Sequence, residues 1–416
     1  MSEVVQKATL ASKAALPLAS ITTEHKNQAL LMMADALIEQ ADEIIAANHK
    51  DIEHGRANGT SESLLDRLRL DTKRIGDIAE GLRQIVELND PIGELLEVIE
   101  RPNGLHIEKI RVPIGVIGMI YEARPNVTVD AAGLALKTGN AIVLRGGSAA
   151  LHSNRQIVAV LHRALERSAV PADALQLIED SDRASVNELM RLNGLIDVII
   201  PRGGSSLIQT VVQNSTVPVI ETGAGICHTV VDASALTTMV DEISINAKVH
   251  RPSVCNSMET LLVHADYDTD AFVKLAERLR EQYQVEIRGC TATLARLPWA
   301  TAATEQDYAT EYNDYILNVK IVASLDEALQ HIATYSTKHS ECIVTEDQAH
   351  AVRFMQEVDA AAVYHNASTR FTDGFEFGFG AEIGISTQKL HARGPMGLPA
   401  LTSTKYKIYG NGQIRG

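Results

Sequence analysis

The sequence predicts an α/β fold organised around a doubly wound parallel sheet. Two observations carry that expectation. From about residue 111 onward, short runs rich in valine and isoleucine alternate with stretches of helical periodicity, joined by brief glycine-marked turns, which is the signature of serial βαβ units. The core must also be aliphatic. Hydrophobic residues make up 45% of the 416 positions while aromatics are only 4%, as suits helices packed on a buried parallel sheet.

The elements follow in order. The first ninety residues read as helical, with Leu30, Leu31, Ala34, Leu37 and Ile38 at helical spacing and Leu82, Ile85 and Val86 repeating the pattern. Arg111 to Tyr121 reads as one buried strand, Val129 to Lys137 as a helix and Gly139-Asn140 as its stop. Ala141 to Leu144 is a second strand and Ala149 to Ser168 a helix. The alternation continues through Leu175–Ile178, Ser185–Leu192, Val198–Ile200, Leu207–Gln213 and Val217–Ile220. A second mixed series runs from Leu236 to about Ala362. The tail from Ser403 to Ile414 alternates like a strand, with Asn411-Gly412 as a turn.

Charge and cysteine content exclude several functions. Lysine and arginine number 38 against 53 aspartates and glutamates, a formal charge of −15. No basic excess exists to neutralise nucleic-acid phosphates or an anionic membrane. An anionic substrate must therefore be held by local cations. The four cysteines, Cys227, Cys255, Cys290 and Cys342, form no Cys-x-x-Cys pair, so neither a zinc ribbon nor a dithiol redox motif is expected. His331 and His339 lie eight apart, which is not a metal-ligand spacing on one helix face. Met1 to Leu16 has no continuous apolar core and no run approaches a membrane span, so a cytoplasmic location with reduced thiols is expected.

Cys255 draws attention by its position. A helix over Leu236 to Val249 ends at His250-Arg251-Pro252, and an apolar strand-like run, Thr260 to Val263, follows. The cysteine thus sits on a helix-to-strand connector, beside two side chains whose positive charge would favour the thiolate. From spacing alone, a buried structural cysteine remains open as an alternative. A nucleotide site is expected beyond the carboxyl ends of the first sheet. There Arg145-Gly146-Gly147-Ser148 and Arg202-Gly203-Gly204-Ser205 each follow a strand and precede a helix. Glycines admit a phosphate close to the backbone, and a helix N-terminus offers it free N–H groups. Each segment also reads as a plain βα turn capped by serine. A Gly-x-Gly-x-x-Gly turn after the first strand is missing.

The order of these segments resembles the aldehyde dehydrogenase superfamily, whose members bind dinucleotides without that turn. Ala123 to Val127 (Ala-Arg-Pro-Asn-Val) is similar to the segment bearing its oxyanion-hole asparagine, here Asn126. Leu136 to Arg145 resembles its strand ending in a ribose-facing basic residue. Val219 to Gly223 is similar to the segment bearing its glutamate, here Glu221, and Cys255 falls where it places the nucleophile. Within the superfamily, Val322 to Ile343, Tyr121 to Asn126, Glu221 to His228, His250 to Asn256 and Phe377 to Gly384 resemble the gamma-glutamyl phosphate reductase family over essentially the whole chain.

The resemblance implies reduction of L-glutamyl 5-phosphate by NADPH to L-glutamate 5-semialdehyde with release of phosphate, the second step of proline biosynthesis. Cys255 would displace phosphate to form a thioester, and Asn126 with the Cys255 backbone N–H would stabilise the oxyanions. Glu221 would help deprotonate Cys255, or would serve only as a solvated or capping carboxylate. The Gly-Gln that hydrolytic relatives carry before the cysteine is replaced by Pro252-Ser253. That departure suggests that His250 and Arg251 hold the acyl phosphate, the alternative for Arg251 being an ordinary salt bridge. In NAD-preferring relatives a glutamate stands three residues after the basic strand end. Here Ser148 takes that offset from Arg145, which favours NADP(H). Glu311 is expected on the nicotinamide ribose and Phe377 near the substrate or nicotinamide, with plain packing an equal alternative for both. The implied parts are a cofactor domain (residues 1–95 and 112–226), a catalytic domain (227–383) and an oligomerisation hairpin with tail (96–111 and 384–416). The partners expected are a second copy of the chain, as homodimer or tetramer, and a separate glutamate 5-kinase. Two rivals stand against this reading: a semialdehyde dehydrogenase that hydrolyses its thioester, and a dinucleotide-binding assembly protein without catalysis.

Overall fold

The computed structural model of the chain describes residues 1–122 and 124–415, so Ala123 of the Ala123–Val127 segment lies outside the described residues. The chain divides into two compact units. The first comprises residues 1–222, 378–384 and 396–416, and the second residues 223–377 and 385–395.

The first unit opens with five helices, α1 (Glu3–Leu18), α2 (Thr23–Glu39), α3 (Ala41–Ala57), α4 (Glu62–Leu68) and α5 (Thr72–Glu87). Ser2, Thr22, Ser61 and Asp71 cap four of them with a side-chain oxygen on a backbone N–H. The hairpin strands β1 (Leu95–Glu100) and β2 (His106–Pro113) follow, then β3 (Val116–Tyr121). The single strand expected over Arg111 to Tyr121 is therefore two strands in two sheets. Pro113 brings no N–H to a ladder, and Gly115 turns the chain at φ +133° against the Asp197 carboxylate.

Helix α6 (Pro125–Lys137) starts four residues earlier than its periodicity suggested, because Pro125 is preorganised for a first helical position. It is buried on nearly every side and ends at Gly139, φ +70°. The unit continues through β4 (Ala141–Gly146), α7 (Leu151–Leu165), β5 (Leu175–Leu177), α8 (Arg183–Leu189), β6 (Val198–Arg202) and α9 (Ser205–Asn214). The four strands form a parallel sheet in the order β5-β4-β3-β6. Val217 to Ile220, expected as a further strand, only bridges Ile199 through Ile199 N–H to Pro218 O (2.8 Å) and Ile220 N–H to Ile199 O (2.9 Å). Pro218 cannot donate, so no ladder extends.

The second unit is a seven-stranded parallel sheet with helices between its strands. Its elements are β7 (Cys227–Val231), α10 (Thr237–Val249), β8 (Met258–His264), α11 (Thr269–Tyr283), β9 (Glu286–Gly289), α12 (Thr291–Arg296), β10 (Thr301–Ala302), α13 (Glu305–Tyr308), β11 (Ile316–Val322), α14 (Leu325–Tyr335), β12 (Ser340–Val344), α15 (Gln348–Glu357) and β13 (Ala362–His365). The order is β10-β9-β11-β8-β7-β12-β13, so β8 and β7 lie in the middle. A core of aliphatic side chains with Phe272 packs α10 and α11 against this sheet. A minimal hairpin, β14 (Ile385–Ser386) with β15 (Gly394–Pro395), also belongs to this unit.

The last strand, β16 (Thr402–Tyr409), returns to the first unit. It pairs antiparallel with β2 from Thr402 opposite Pro113 to Tyr409 opposite His106. With β1 on the other side it completes a three-stranded sheet, β1-β2-β16, whose two outer edges are unpaired among the described residues. No helix among the described residues is long and apolar enough to cross a membrane.

Candidate active site

Cys255 lies on the loop between α10 and β8, as its helix–connector–strand setting predicted, and it is half-buried. The loop sits at the amino ends of the central strands, because residues 250–257 lead into β8 rather than out of it. Three attachments fix its backbone. The Cys227 thiol, at the start of β7, donates to the Cys255 carbonyl at 3.2 Å. Burial drives the Cys227 thiol well above its ordinary pKa, and the nearby Glu341 carboxylate adds to the effect, so it acts as a neutral donor. Gly225 packs so closely that a Cβ there would stand 1.4 Å from the same carbonyl oxygen. The Gly225 N–H in turn donates to the Glu311 carboxylate at 2.7 Å. Glu311, expected on the nicotinamide ribose, thus has one carboxylate oxygen committed to holding the chain that braces the Cys255 loop.

The neighbouring Asn256 is buried and its amide fully engaged. Its Nδ2 donates to Thr372 O at 2.9 Å and to Arg370 O at 3.3 Å, and its Oδ1 accepts from the Arg370 guanidinium. Thr369 Oγ1 donates to the Asn256 carbonyl at 2.8 Å. Arg370 Nε also donates to His250 Nδ1 at 3.4 Å. The exposed Arg251 makes no ion pair among the described residues, so its salt-bridge alternative has no counterpart in the structure. Beneath the loop, Lys248 of α10 and Glu259 of β8 form a fully buried ion pair at 2.8 Å. Burial pushes the Glu259 carboxyl up to about 7 against the pull of Lys248, and burial lowers Lys248 in turn. Phe377 is 40% exposed, and its N–H donates to Asp373 O at 2.9 Å.

In the first unit, Asn126 is exposed on the first turn of α6, and its Nδ2 donates to Asp130 at 3.1 Å. Burial raises the Asp130 carboxyl to about 6, with the Asn126 hydrogen bond and the Arg202 charge opposing. One amide hydrogen of Asn126 is left for another acceptor. Glu221 is half-buried just before Thr222, whose Oγ1 donates to Pro201 O at 2.6 Å.

Arg145, expected to face the adenosine ribose, is extensively bonded within the chain. Its side chain is 8% exposed, and its guanidinium donates to Ser181 O (2.7 Å), Asp182 O (3.0 Å), Gly146 O (3.0 Å) and Ser185 Oγ (3.3 Å). It ties the loop before α8 to the end of β4. Gly146 is buried too, with no room for a Cβ beside Asn154 and Tyr121, whereas Gly147 is half-buried and Ser148 exposed. Gly203, Gly204 and Ser205 are exposed at the start of α9, and Gly204 supplies no side-chain cap. The first N–H groups of this ten-residue helix lie at the carboxyl end of β6, with the Glu122 side chain packed against Gly203 and Gly204.

Gly225, Asn256, Asp130 and Arg370 were not singled out from the sequence, and Cys227 only as one of the four unpaired cysteines. Arg370 carried one usable signal, since it follows a strand-like run ending at His365 and closes an Asn-Ala-Ser-Thr turn segment.

The aldehyde dehydrogenase family matches residues 1–288. The gamma-glutamyl phosphate reductase of Caldanaerobacter subterraneus is 58% identical over 413 residues, covering 99% of this chain and all of the relative. That of Bacillus subtilis is 56% identical over 415 residues, with full coverage of both. The crystal structure of the enzyme of the same name from Thermotoga maritima superposes over all of both chains with a TM-score of 0.97 at 48% identity. An acetylating aldehyde dehydrogenase from Geobacillus thermoglucosidasius shares the fold at a TM-score of 0.69 and 18% identity. On these grounds the chain belongs to the aldehyde dehydrogenase family, and within it to the gamma-glutamyl phosphate reductases.

Proposed function

We propose that the chain is the cytoplasmic enzyme that reduces L-glutamyl 5-phosphate to L-glutamate 5-semialdehyde with NADPH, releasing phosphate, through a thioester on Cys255. The observation that carries the reading is the braced loop of Cys255 beside Arg251, Arg370 and His250. An acyl phosphate is an activated acyl donor. The Cys255 thiolate attacks its carbonyl carbon, the carbon–oxygen bond to phosphate breaks, and phosphate leaves with the electron pair. A reduced nicotinamide supplies the hydride that takes the thioester to the aldehyde level. The resulting tetrahedral centre then expels the Cys255 thiolate and frees the aldehyde. Asn126 is the side-chain donor proposed for the oxyanions, with Asp130 orienting its amide; an oxyanion donor of this kind contributes on the order of 3 kcal/mol.

The N-terminus of α9 is proposed to hold the cofactor phosphates through the backbone N–H groups of Ser205 and Ser206, which requires the exposed Glu122 side chain, packed against Gly203 and Gly204, to give way. The preference for NADP rests on Ser148, an exposed position without a carboxylate to repel a 2′-phosphate. Arg145, being committed to four acceptors, is not part of that argument. Glu221 is proposed to assist the thiol rather than to activate water, since hydrolysis would discard the intermediate. Assembly into a homodimer or tetramer is proposed to run through the three-stranded sheet.

The test is the reverse reaction, nucleotide reduction with glutamate semialdehyde, run with NADP or NAD and with or without phosphate. Strict dependence on phosphate, faster turnover with NADP, and loss of activity in Cys255→Ala are expected. Turnover without phosphate would instead identify a hydrolytic dehydrogenase.

A further inference from the structure

The side chains around the nucleophile loop hold more positive charge than the ion pairs there use. Arg370 follows β13, after the chain turns back along the sheet edge. The turn is marked by Asn366 N–H on Ile343 O (2.9 Å) at one end of β12 and by Thr372 Oγ1 against Ser340 Oγ (2.6 Å) at the other. This return path delivers Arg370 to the amino-end loop that carries Cys255. There its guanidinium is bonded to the Asn256 amide and to His250, and among the described residues no carboxylate pairs with it or with Arg251. A guanidinium only donates, so His250 Nδ1 is the acceptor, which leaves Nε2 as the ring's donor. Five N–H groups less the two so engaged leave three on Arg370.

Burial, and after it the neighbouring Arg251 charge, disfavours the protonated form of Arg370, while Asp373 and Cys255 favour it. Two guanidiniums that repel each other, with no carboxylate among the described residues bonded to either, are arranged for an anion that comes from outside. Arg370 is also locked by the residue next to the nucleophile. An anion bound to it is therefore held close to the carbon that Cys255 attacks.

We infer that Arg370 is the principal phosphate-binding residue of the active site, acting with Arg251 and the Nε2–H of His250 on the phosphate of the acyl phosphate and on free phosphate in the reverse direction. This deepens the reading of the chain as an acyl-phosphate reductase and rests on it. The phosphate is the right group because it is bonded directly to the attacked carbonyl carbon. The other anion of the substrate, its α-carboxylate, lies at the far end of the carbon chain. In the reverse direction a phosphate oxygen held here attacks the thioester carbonyl, the carbon–sulfur bond breaks, and the thiolate returns to Cys255.

The experiment uses the full chain, saturating NADP, and separate titrations of phosphate and glutamate semialdehyde. In Arg370→Gln the amide keeps a donor for Asn256 but the charge is gone. Its KM for phosphate should rise roughly ten- to a hundredfold, the range for losing a charged hydrogen-bond partner, while its KM for the semialdehyde stays near that of the wild type. Arg370→Lys, which keeps the charge without the planar fork, should fall between the two. A KM for phosphate unchanged in Arg370→Gln overturns the assignment, and so does a rise confined to the semialdehyde, which would place the α-carboxylate here. Should Arg370→Gln be insoluble, the lysine variant and the protection of Cys255 from alkylation by inorganic phosphate decide the same question. Phosphate must slow alkylation of the wild type, and must do so only at higher concentration in Arg370→Lys. If wild-type oxidation needed no phosphate at all, the parent reading would fail. If it needed phosphate but Arg370→Gln were indifferent to it, only this inference would fail.

Discussion

Gly225 is a position where backbone geometry alone excludes every other residue. A Cβ there would stand 1.4 Å from the Cys255 carbonyl oxygen and 2.4 Å from its carbon, both main-chain atoms that no rotamer change relieves. Gly225→Ala must therefore push the Cys255 loop outward and break the bond from Cys227 to that carbonyl. A misplacement on the order of 1 Å costs about a hundredfold in rate. We expect kcat to fall by about that factor while NADP affinity, measured by titration without substrate, is unchanged; near-wild-type kcat would show that the brace is dispensable. The residue scale is also where the sequence was most and least informative. Cys255 was legible because a helix stop and a strand start bracket it. The partners of Arg145 were not legible, because strand-end position says where a side chain begins but not what captures it. Its guanidinium is taken by carbonyls of Ser181 and Asp182, some 36 positions away in sequence. Arg370 was overlooked for a related reason, since its partner Asn256 is 114 positions distant.

At the scale of elements, the Cys255 loop is suspended between α10 and β8, and the buried Lys248–Glu259 pair joins the two. Both side chains have no exposed surface. Removing one partner of such a pair typically costs about 3–5 kcal/mol, whereas replacing both with apolar residues is often neutral. Lys248→Met should thus lower the thermal midpoint sharply at pH 8, and Lys248→Met with Glu259→Leu should recover most of the loss. The pH dependence has a definite sign. The folded pKa of Glu259, about 7, lies above its ordinary value of 4.5. Its contribution to stability is then full below about pH 4.5 and lost as pH rises through 7. Without Lys248 the carboxyl is pushed higher still, so the variant's deficit should shrink on acidification from pH 8 to pH 6. A deficit that stays constant over that range would mean that Glu259 does not titrate there. The sequence could not reveal this pair, because Lys248 and Glu259 lie eleven positions apart on different elements. The helix and strand themselves were legible, since their apolar periods change from one to the other at the Cys255 loop.

At the scale of the whole chain, alternation predicted the parallel sheets, and the tail's period-two pattern predicted a strand. What periodicity could not give was sheet membership. Pro113 and Gly115 cut one valine- and isoleucine-rich run into β2 and β3, and only the pairing partners show that β2 belongs with β16. The resulting three-stranded sheet bears the clearest consequence for assembly. Strand β16 is an edge, and along it Tyr406, Ile408 and Tyr409 are 55%, 60% and 50% exposed. On the opposite edge Leu95 and Val98 of β1 are 53% and 46% exposed. An edge strand with exposed apolar side chains pairs readily with another chain, and the charges that share these edges, Lys405 and Lys407 on β16 and Glu97 and Glu100 on β1, are opposite in sign. Light scattering at micromolar concentration should therefore report a dimer or larger species for the wild type. Tyr406 and Ile408 point to one face of β16, two residues apart. Ile408→Asp places a charge on that face without touching either unit's core, and should shift the population toward monomer while leaving the far-ultraviolet circular dichroism unchanged. A wild-type monomer, or an Ile408→Asp variant with undiminished assembly, would remove this sheet as the contact.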